Sequence, residues 1–134
     1  MRKVALIVAG GKGERMNTSI PKQFLLLDGL PILIHTLRKF SHFEKTILVL
    51  PQSQFNYWEE LCNTHNFTQL HTLVEGGKTR FHSVRNGLKK IDNNTIIAIH
   101  DGVRPLISTK LIDSLMTETK NGVGIIPIVP VKDS

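Results

Sequence analysis

The sequence predicts a single α/β domain with an open, mostly parallel sheet and helices on both of its faces. Two observations support this class. Short apolar runs alternate with segments whose apolar residues recur at helical spacing, and polar, glycine-containing loops follow several of the runs. Such alternation is typical of βαβ units. With 134 residues the chain can bury one substantial core but hardly two, so we treat residues 1–134 as one domain.

The first half of the chain supplies two strong strands and two helices. Lys3–Val8 is apolar after its lysine, as expected of a strand buried on both faces of a parallel sheet. Pro31 can begin a helix that continues to about His42. Lys45–Pro51 predicts the second buried strand, and Gln54–Asn63 predicts a helix.

The second half repeats the pattern. Leu70–Val74 is a weaker strand, Arg80–Ile91 has the spacing of an amphipathic helix, and Thr95–His100 is the third strong strand. Ser108 can cap a further helix that ends at Asn121-Gly122.

The last predicted element is a strand over Val123–Val131. Pro127 and Pro130 favour an edge or irregular position for it, because proline cannot donate a ladder hydrogen bond.

Composition narrows the function classes. The net charge is 17 − 11 = +6, which suits nucleic acid, anionic membrane or small phosphorylated ligands. Scattered basic residues and an aromatic content of 6% argue against nucleic acid. No segment reaches transmembrane length, and the apolar run before Gly10 is interrupted too early for a signal peptide. The single cysteine, Cys62, fits a reducing compartment, so we expect a cytoplasmic enzyme or binding domain.

Three polar loops follow predicted strands directly: Ala9–Lys22, Glu75–Ser83 and Asp101–Pro105. In open parallel sheets, ligands bind beyond the carboxyl ends of the strands. We therefore expect the three loops to meet at one crevice.

The first loop has the composition of an anion-binding loop but matches neither common phosphate motif. Its glycines lack the spacing of a Walker loop, and the third glycine of a dinucleotide fingerprint would fall on Met16. The glycines allow backbone N–H groups to approach an anion, and lysine and arginine side chains add positive charge. The alternative is a glycine-rich turn without a ligand. The residues concerned are Gly10, Gly11, Lys12, Gly13, Arg15 and Lys22.

The second loop contains Gly77-Lys78-Thr79, which is similar to the end of a Walker loop. The first glycine of that motif would be residue 72, which is a threonine, so the match fails. Gly76 and Gly77 could instead let backbone groups face a nucleobase, with Ser83 supplying a hydroxyl. A tight strand-to-helix turn is the alternative.

The third loop, "HDGVRP", combines a carboxylate with a guanidinium. Asp101 at the tip of a strand is placed to hold Mg²⁺, which takes one or two carboxylates and completes its shell with water and phosphate oxygens. Arg104 can grip a phosphate bidentately. An Asp-Gly turn with an exposed arginine is the alternative, and we expect His100 to be a packed, hydrogen-bonded residue. Together the loops suit attack on a nucleotide phosphate.

The motifs "AGGKGERM", "PKQF", "EGGKTRFHSV", "HDGVRP" and "PVKDS" resemble, in order and spacing, the 2-C-methyl-D-erythritol 4-phosphate cytidylyltransferase family. The resemblance covers the whole chain. It implies a Rossmann-like nucleotidyltransferase fold and a Mg²⁺-dependent reaction between CTP and a small phosphorylated polyol, with pyrophosphate as the leaving group.

The resemblance also implies residue roles. Arg15 and Lys22 would stabilise charge on the α-phosphate and the leaving pyrophosphate. Asp101 would bind Mg²⁺, and Arg104 would help to hold the acceptor. The residues that would contact CTP are Ala9, Gly10, Gly11 and Gly13 at the triphosphate, and Gly77, Lys78 and Ser83 at the cytosine and ribose.

Members of this family continue for many tens of residues beyond the position of Ser134. The resemblance therefore implies that the chain is the N-terminal part of a longer protein, a homodimer at full length. The remainder would supply a projecting dimerisation arm, further acceptor contacts and a second catalytic lysine. Two alternatives stay open: ribitol-5-phosphate cytidylyltransferase, which shares the glycine loop and "PKQF", and a non-catalytic nucleotide-binding domain.

Overall fold

The computed structural model describes residues 2–10 and 20–125 and shows a four-stranded, fully parallel sheet with helices on both faces. The strands of this sheet lie in the spatial order β5-β4-β1-β6, and a short antiparallel hairpin, β2-β3, lies apart from it. The elements are β1 (Arg2–Val8), β2 (Leu26–Leu27), β3 (Leu30–Pro31), α1 (Ile32–Arg38), β4 (Lys45–Leu50), α2 (Phe55–Thr64), β5 (Thr72–Glu75), α3 (Arg80–Leu88), β6 (Thr95–Asp101) and α4 (Thr109–Glu118).

β1 is the centre of this sheet because it pairs on both sides. Val8, its last residue, is in register with Val49 of β4 and with Asp101 of β6. The chain leaves β1 toward β4 and β5 on one side and later returns to place β6 on the other. This reversal of strand order is a topological switch point, where crevices form in open α/β sheets.

Each face of the sheet carries its own apolar cluster. The side chains of Leu6, Val49 and Val74 pack on one face against α3. The other face is larger and is covered by α1, α2 and α4 around the fully buried Trp58. Successive side chains of β1 point to opposite faces of the sheet, and helices cover both faces. Both sets of side chains are therefore buried, which explains why the strand is apolar from Val4 to Val8.

The predicted strands and helices other than the last strand are present, with shifted boundaries at several ends. α1 and α3 end at Arg38 and Leu88, earlier than predicted, because the chain continues in tight turns with i→i+3 hydrogen bonds. α4 begins at the predicted cap, where Ser108 Oγ accepts from Leu111 N. It ends at Glu118 rather than at Asn121, because Thr119 has extended backbone angles.

The predicted strand Val123–Val131 is not seen in its first three residues, which carry no strand assignment. Its remaining residues lie outside the described ranges.

The β2-β3 hairpin was not predicted. Asp28 and Gly29 both have positive φ, 54° and 82°, as in the two-residue turns that match the twist of paired strands. Each strand has only two residues, too few for an alternating pattern to register in the sequence.

Gly87 provides a test of the α3 packing. A Cβ added there would meet the side chains of Leu6 and Val49 directly. Gly→Ala normally stabilises a helix, but here we expect Gly87→Ala to lower the free energy of unfolding by about 1–3 kcal/mol through overpacking. Urea denaturation followed by the fluorescence of Trp58 measures this. Lys89→Ala, at the exposed end of the same helix, should stay within about 0.5 kcal/mol.

Candidate active site

The carboxyl ends of the strands enclose a crevice of about 460 Å³ to which all three predicted loops contribute. Backbone hydrogen bonds prolong the sheet by one residue at each loop: Ala9 N to Val49 O at 3.0 Å, Gly76 N to Leu50 O at 2.8 Å, and Gly102 N to Val8 O at 2.9 Å. The loops therefore start from fixed positions. The lining comprises Val8, Ala9, Gly10, Lys22, Gln23, Gly77, Lys78, Thr79, Arg80, Ser83, Asp101 and Val103.

Most predicted site residues that the structure describes line this crevice: Ala9, Gly10, Lys22, Gly77, Lys78, Ser83 and Asp101. Arg104 does not. It borders a neighbouring cavity with His100, Pro105 and Leu106, and its side chain is 75% exposed. Gly11, Gly13 and Arg15 lie outside the described residues.

The position of Lys22 is set by the two residues that follow it. Gln23 is fully buried, and its Nε2 donates to Ala9 O at 3.3 Å and to Gln54 Oε1 at 2.8 Å. Phe24 is buried in the core, where its ring stacks on Trp58 at a centroid distance of 6.2 Å. Because both neighbours are packed, Lys22 starts from a rigid turn and extends into the crevice.

Ser83 has a structural partner within the second loop. Its Oγ accepts a hydrogen bond from Gly77 N at 3.0 Å, and the side chain is 3% exposed. The Gly77 N–H is thereby engaged inside the protein, which leaves its carbonyl and the Ser83 hydroxyl proton for a ligand. A Cβ at Gly77 would meet His82, so glycine is required by packing as well.

Asp101 ends β6 and lies between two arginines. Its Oδ2 accepts from Arg104 Nε at 3.0 Å, and its Oδ1 accepts from Arg80 Nη1. The carboxylate is partly exposed at the crevice. Among residues 2–10 and 20–125 no group of three or more histidine, cysteine or acidic residues is close enough to form a metal cage. A single carboxylate fits Mg²⁺ that takes its other ligands from water and phosphate, and it does not fit a metal held by protein alone.

Arg80, Gln23 and Thr79 line the crevice but were not identified from the sequence. Arg80 follows Thr79, which caps α3 by accepting from His82 N at 3.2 Å, so it is the first residue of the helix. The sequence does hold one indication that Arg80 belongs to the site. It is a basic residue next to a threonine that can cap a helix, within a loop already predicted to bind a ligand.

The crevice carries an excess of positive charge. Its described lining contains three cations, Lys22, Lys78 and Arg80, and one anion, Asp101, which gives 3 − 1 = +2. A helix N-terminus adds backbone N–H groups at the same edge. This arrangement favours a polyanionic ligand.

Two other chemically reactive residues lie away from the crevice. His100 Nε2 bonds the Arg104 carbonyl at 2.8 Å and its ring packs on Phe40, which confirms its predicted structural role. Burial, followed by the charge of Glu59, raises the pKa of Cys62 to about 11. A thiol with a raised pKa is a poor nucleophile at neutral pH, in agreement with a packing role.

An open parallel sheet with helices on both faces and a basic crevice at its switch point is the α/β architecture in which nucleotides and other phosphorylated ligands commonly bind. The family model described as 2-C-methyl-D-erythritol 4-phosphate cytidylyltransferase matches residues 3–134. The chain belongs to that family.

Similar proteins agree with this assignment. Proteins named 2-C-methyl-D-erythritol 4-phosphate cytidylyltransferase from Azobacteroides pseudotrichonymphae and Porphyromonas gingivalis are each 47% identical over 99% of this chain. A crystal structure of a 4-diphosphocytidyl-2C-methyl-D-erythritol synthase from Anaerococcus prevotii superposes with a TM-score of 0.69 at 27% identity, covering 87% of this chain and 49% of that one. The chain spans 60–61% of the length of the two curated relatives. No helix among the described residues is long and apolar enough to cross a membrane.

The Ser83–Gly77 hydrogen bond can be tested by Ser83→Ala. The variant leaves the Gly77 N–H without its acceptor, so we expect the free energy of unfolding to fall by about 1–3 kcal/mol and the Gly77 amide to exchange faster. Chemical denaturation and hydrogen exchange by NMR measure these effects.

Ser108→Ala is the matched control, because Ser108 also accepts a backbone N–H but at α4, away from the crevice. It should destabilise the protein without changing exchange at Gly77. Equal exchange at Gly77 in both variants would show that Ser83 does not hold the loop.

Proposed function

We propose that this chain forms the CTP-binding part of an enzyme that transfers a cytidylyl group to 2-C-methyl-D-erythritol 4-phosphate. In this reaction a phosphate oxygen of the acceptor bonds to the α-phosphorus of CTP. The bond from that phosphorus to the bridging oxygen of the β-phosphate breaks, and pyrophosphate leaves with the electron pair. The family membership and the positively charged crevice support the proposal.

The observation that carries the proposal is the position of Lys22, which follows from a turn held by buried residues and which lines the same crevice as the second loop. Positioning and charge neutralisation supply most of the catalysis in transfer at a nucleotide phosphate. Lys22 starts from a turn that Gln23 and Phe24 hold in place, so its backbone is already fixed where its ammonium group can reach phosphates in the crevice and neutralise their charge. Arg15 is proposed to act with it, by resemblance to the family.

The nucleoside would lie over the second loop. The Gly77 carbonyl can accept from an amino group such as that of cytosine, and the Ser83 hydroxyl can donate to a carbonyl oxygen or a ribose hydroxyl. Ala9 and Gly10, at the end of β1, border the same crevice on the triphosphate side, where Gly11 and Gly13 are proposed to continue the loop.

Asp101 is the proposed holder of Mg²⁺. The bound ion would neutralise charge on the phosphate oxygens that it contacts. Arg104 belongs to the loop that follows β6 and lies outside the crevice, which is compatible with its proposed contact to the acceptor. A homodimer at full length and a cytoplasmic location remain part of the proposal and are supported by the resemblance to the family.

Nucleotide preference tests the proposal directly. We expect calorimetric titration with CTP, UTP, ATP and GTP, each with Mg²⁺, to show the tightest binding for CTP. The other nucleotides would leave a buried hydrogen-bonding group of the second loop without its partner. Their affinity should therefore be about tenfold or more weaker. Equal binding of all four would contradict the assignment of the second loop to cytosine. A CTP preference without turnover by the full-length enzyme would favour a non-catalytic binding domain.

Lys22→Ala tests the catalytic assignment in the full-length enzyme. We expect kcat to fall by about a hundredfold or more while CTP affinity falls much less, because the charge to be neutralised grows in the transition state. Lys110→Ala, an exposed substitution on α4 outside the crevice, should leave both unchanged. A loss of CTP affinity with kcat unchanged would indicate a ground-state binding role only.

A further inference from the structure

The carboxylate proposed to hold the cation is engaged through both of its oxygens. Asp101 Oδ1 accepts from Arg80 and Oδ2 accepts from Arg104. Mg²⁺ needs a carboxylate oxygen at about 2.0–2.1 Å and repels a guanidinium that lies on the same oxygen. At least one of the two arginines must therefore move when a cation binds Asp101.

The two arginines occupy different surroundings. Arg104 lies three residues beyond Asp101 on the same loop, and it lines the outer cavity rather than the crevice. Arg80 comes from another element, the start of α3, and lines the crevice together with Lys22 and Lys78. Of the two, Arg80 is the one that can exchange Asp101 for a ligand in the crevice.

A guanidinium that leaves Asp101 needs another anion. Phosphate oxygens are suitable partners, since guanidinium groups bind them in a bidentate, charge-assisted manner. A triphosphate in the crevice would lie within the same lining as Arg80. The cation and the nucleotide would then each take one member of the Arg80–Asp101 pair.

We propose that Arg80 is a positioning residue that exchanges partners, pairing with Asp101 until a divalent cation takes the carboxylate and then binding the nucleotide phosphates. This inference rests on the proposed nucleotide site and adds a residue and a coupling to it. It makes cation binding and nucleotide binding favour each other, because each ligand releases the group that the other needs.

Arg80→Gln should therefore have opposite effects on the two ligands. Without the Arg80 guanidinium competing for Asp101, Mn²⁺ added without nucleotide should bind about fivefold tighter. This is the change in affinity that corresponds to the free energy of a half-exposed ion pair. Without the guanidinium, CTP with Mg²⁺ should bind about tenfold weaker. Arg80→Lys keeps the charge and should leave Mn²⁺ affinity near that of the unsubstituted protein.

The experiment measures free Mn²⁺ by electron paramagnetic resonance and CTP affinity by calorimetry. Arg85→Gln is the matched control. Arg85 is an exposed arginine of the same helix whose guanidinium packs on the ring of Phe81 and does not line the crevice. It should change neither affinity. Circular dichroism and Trp58 fluorescence check that each variant is folded.

The outcomes separate this inference from the proposed function. If Arg80→Gln binds Mn²⁺ no more tightly than the unsubstituted protein, the exchange is overturned, whatever nucleotide the protein prefers. If Asp101→Asn binds Mn²⁺ undiminished, the cation does not use Asp101, and the exchange is likewise overturned. Loss of CTP preference with the predicted Mn²⁺ effect would instead overturn the cytidylyl assignment and keep the exchange.

Discussion

The pairing of β1 with two parallel neighbours is the constraint on which the rest of the structure depends. Val8 is opposite Val49 and Asp101, and Leu50, the residue after Val49, is opposite Glu75. The loops that follow β1, β5 and β6 therefore begin at nearly the same level. Buried backbone groups must be hydrogen-bonded, and the ladder satisfies those of β1 on both sides. A shift of β1 by one residue would exchange the side chains of its two faces and separate the loops.

The side chains that line the crevice differ in how firmly the rest of the structure holds them. Lys22 is held through the buried amide of Gln23 and the ring of Phe24, and Ser83 is held by its bond to Gly77. Arg80, in contrast, has a half-exposed side chain whose partner is a carboxylate. Exposed ion pairs contribute little to stability, so this contact can be exchanged at low cost. Packed residues thus fix where Lys22 and Ser83 lie, whereas the ion pair between Arg80 and Asp101 can break so that each group binds another partner.

The charge of the described crevice lining, +2, accounts for part of the net charge of +6 without invoking nucleic acid. Lys22, Lys78 and Arg80 come from two loops and converge on one small volume. A triphosphate with its cation is a ligand of matching size and charge. The remaining basic residues are scattered along the printed sequence and form no stripe with aromatic residues there.

The sequence by itself determined the fold class, the order of the main elements and most of the described crevice residues. Apolar periodicity and capping are local properties, and glycine-rich loops after strands mark the ligand edge without knowledge of contacts. Only the tertiary structure decided that Arg80 pairs with Asp101, that Gln23 fastens Lys22, and that Arg104 lies outside the crevice. The two contacts join residues that are 14 and 21 positions apart, and the place of Arg104 depends on the path of its loop. No spacing in the sequence encodes these properties.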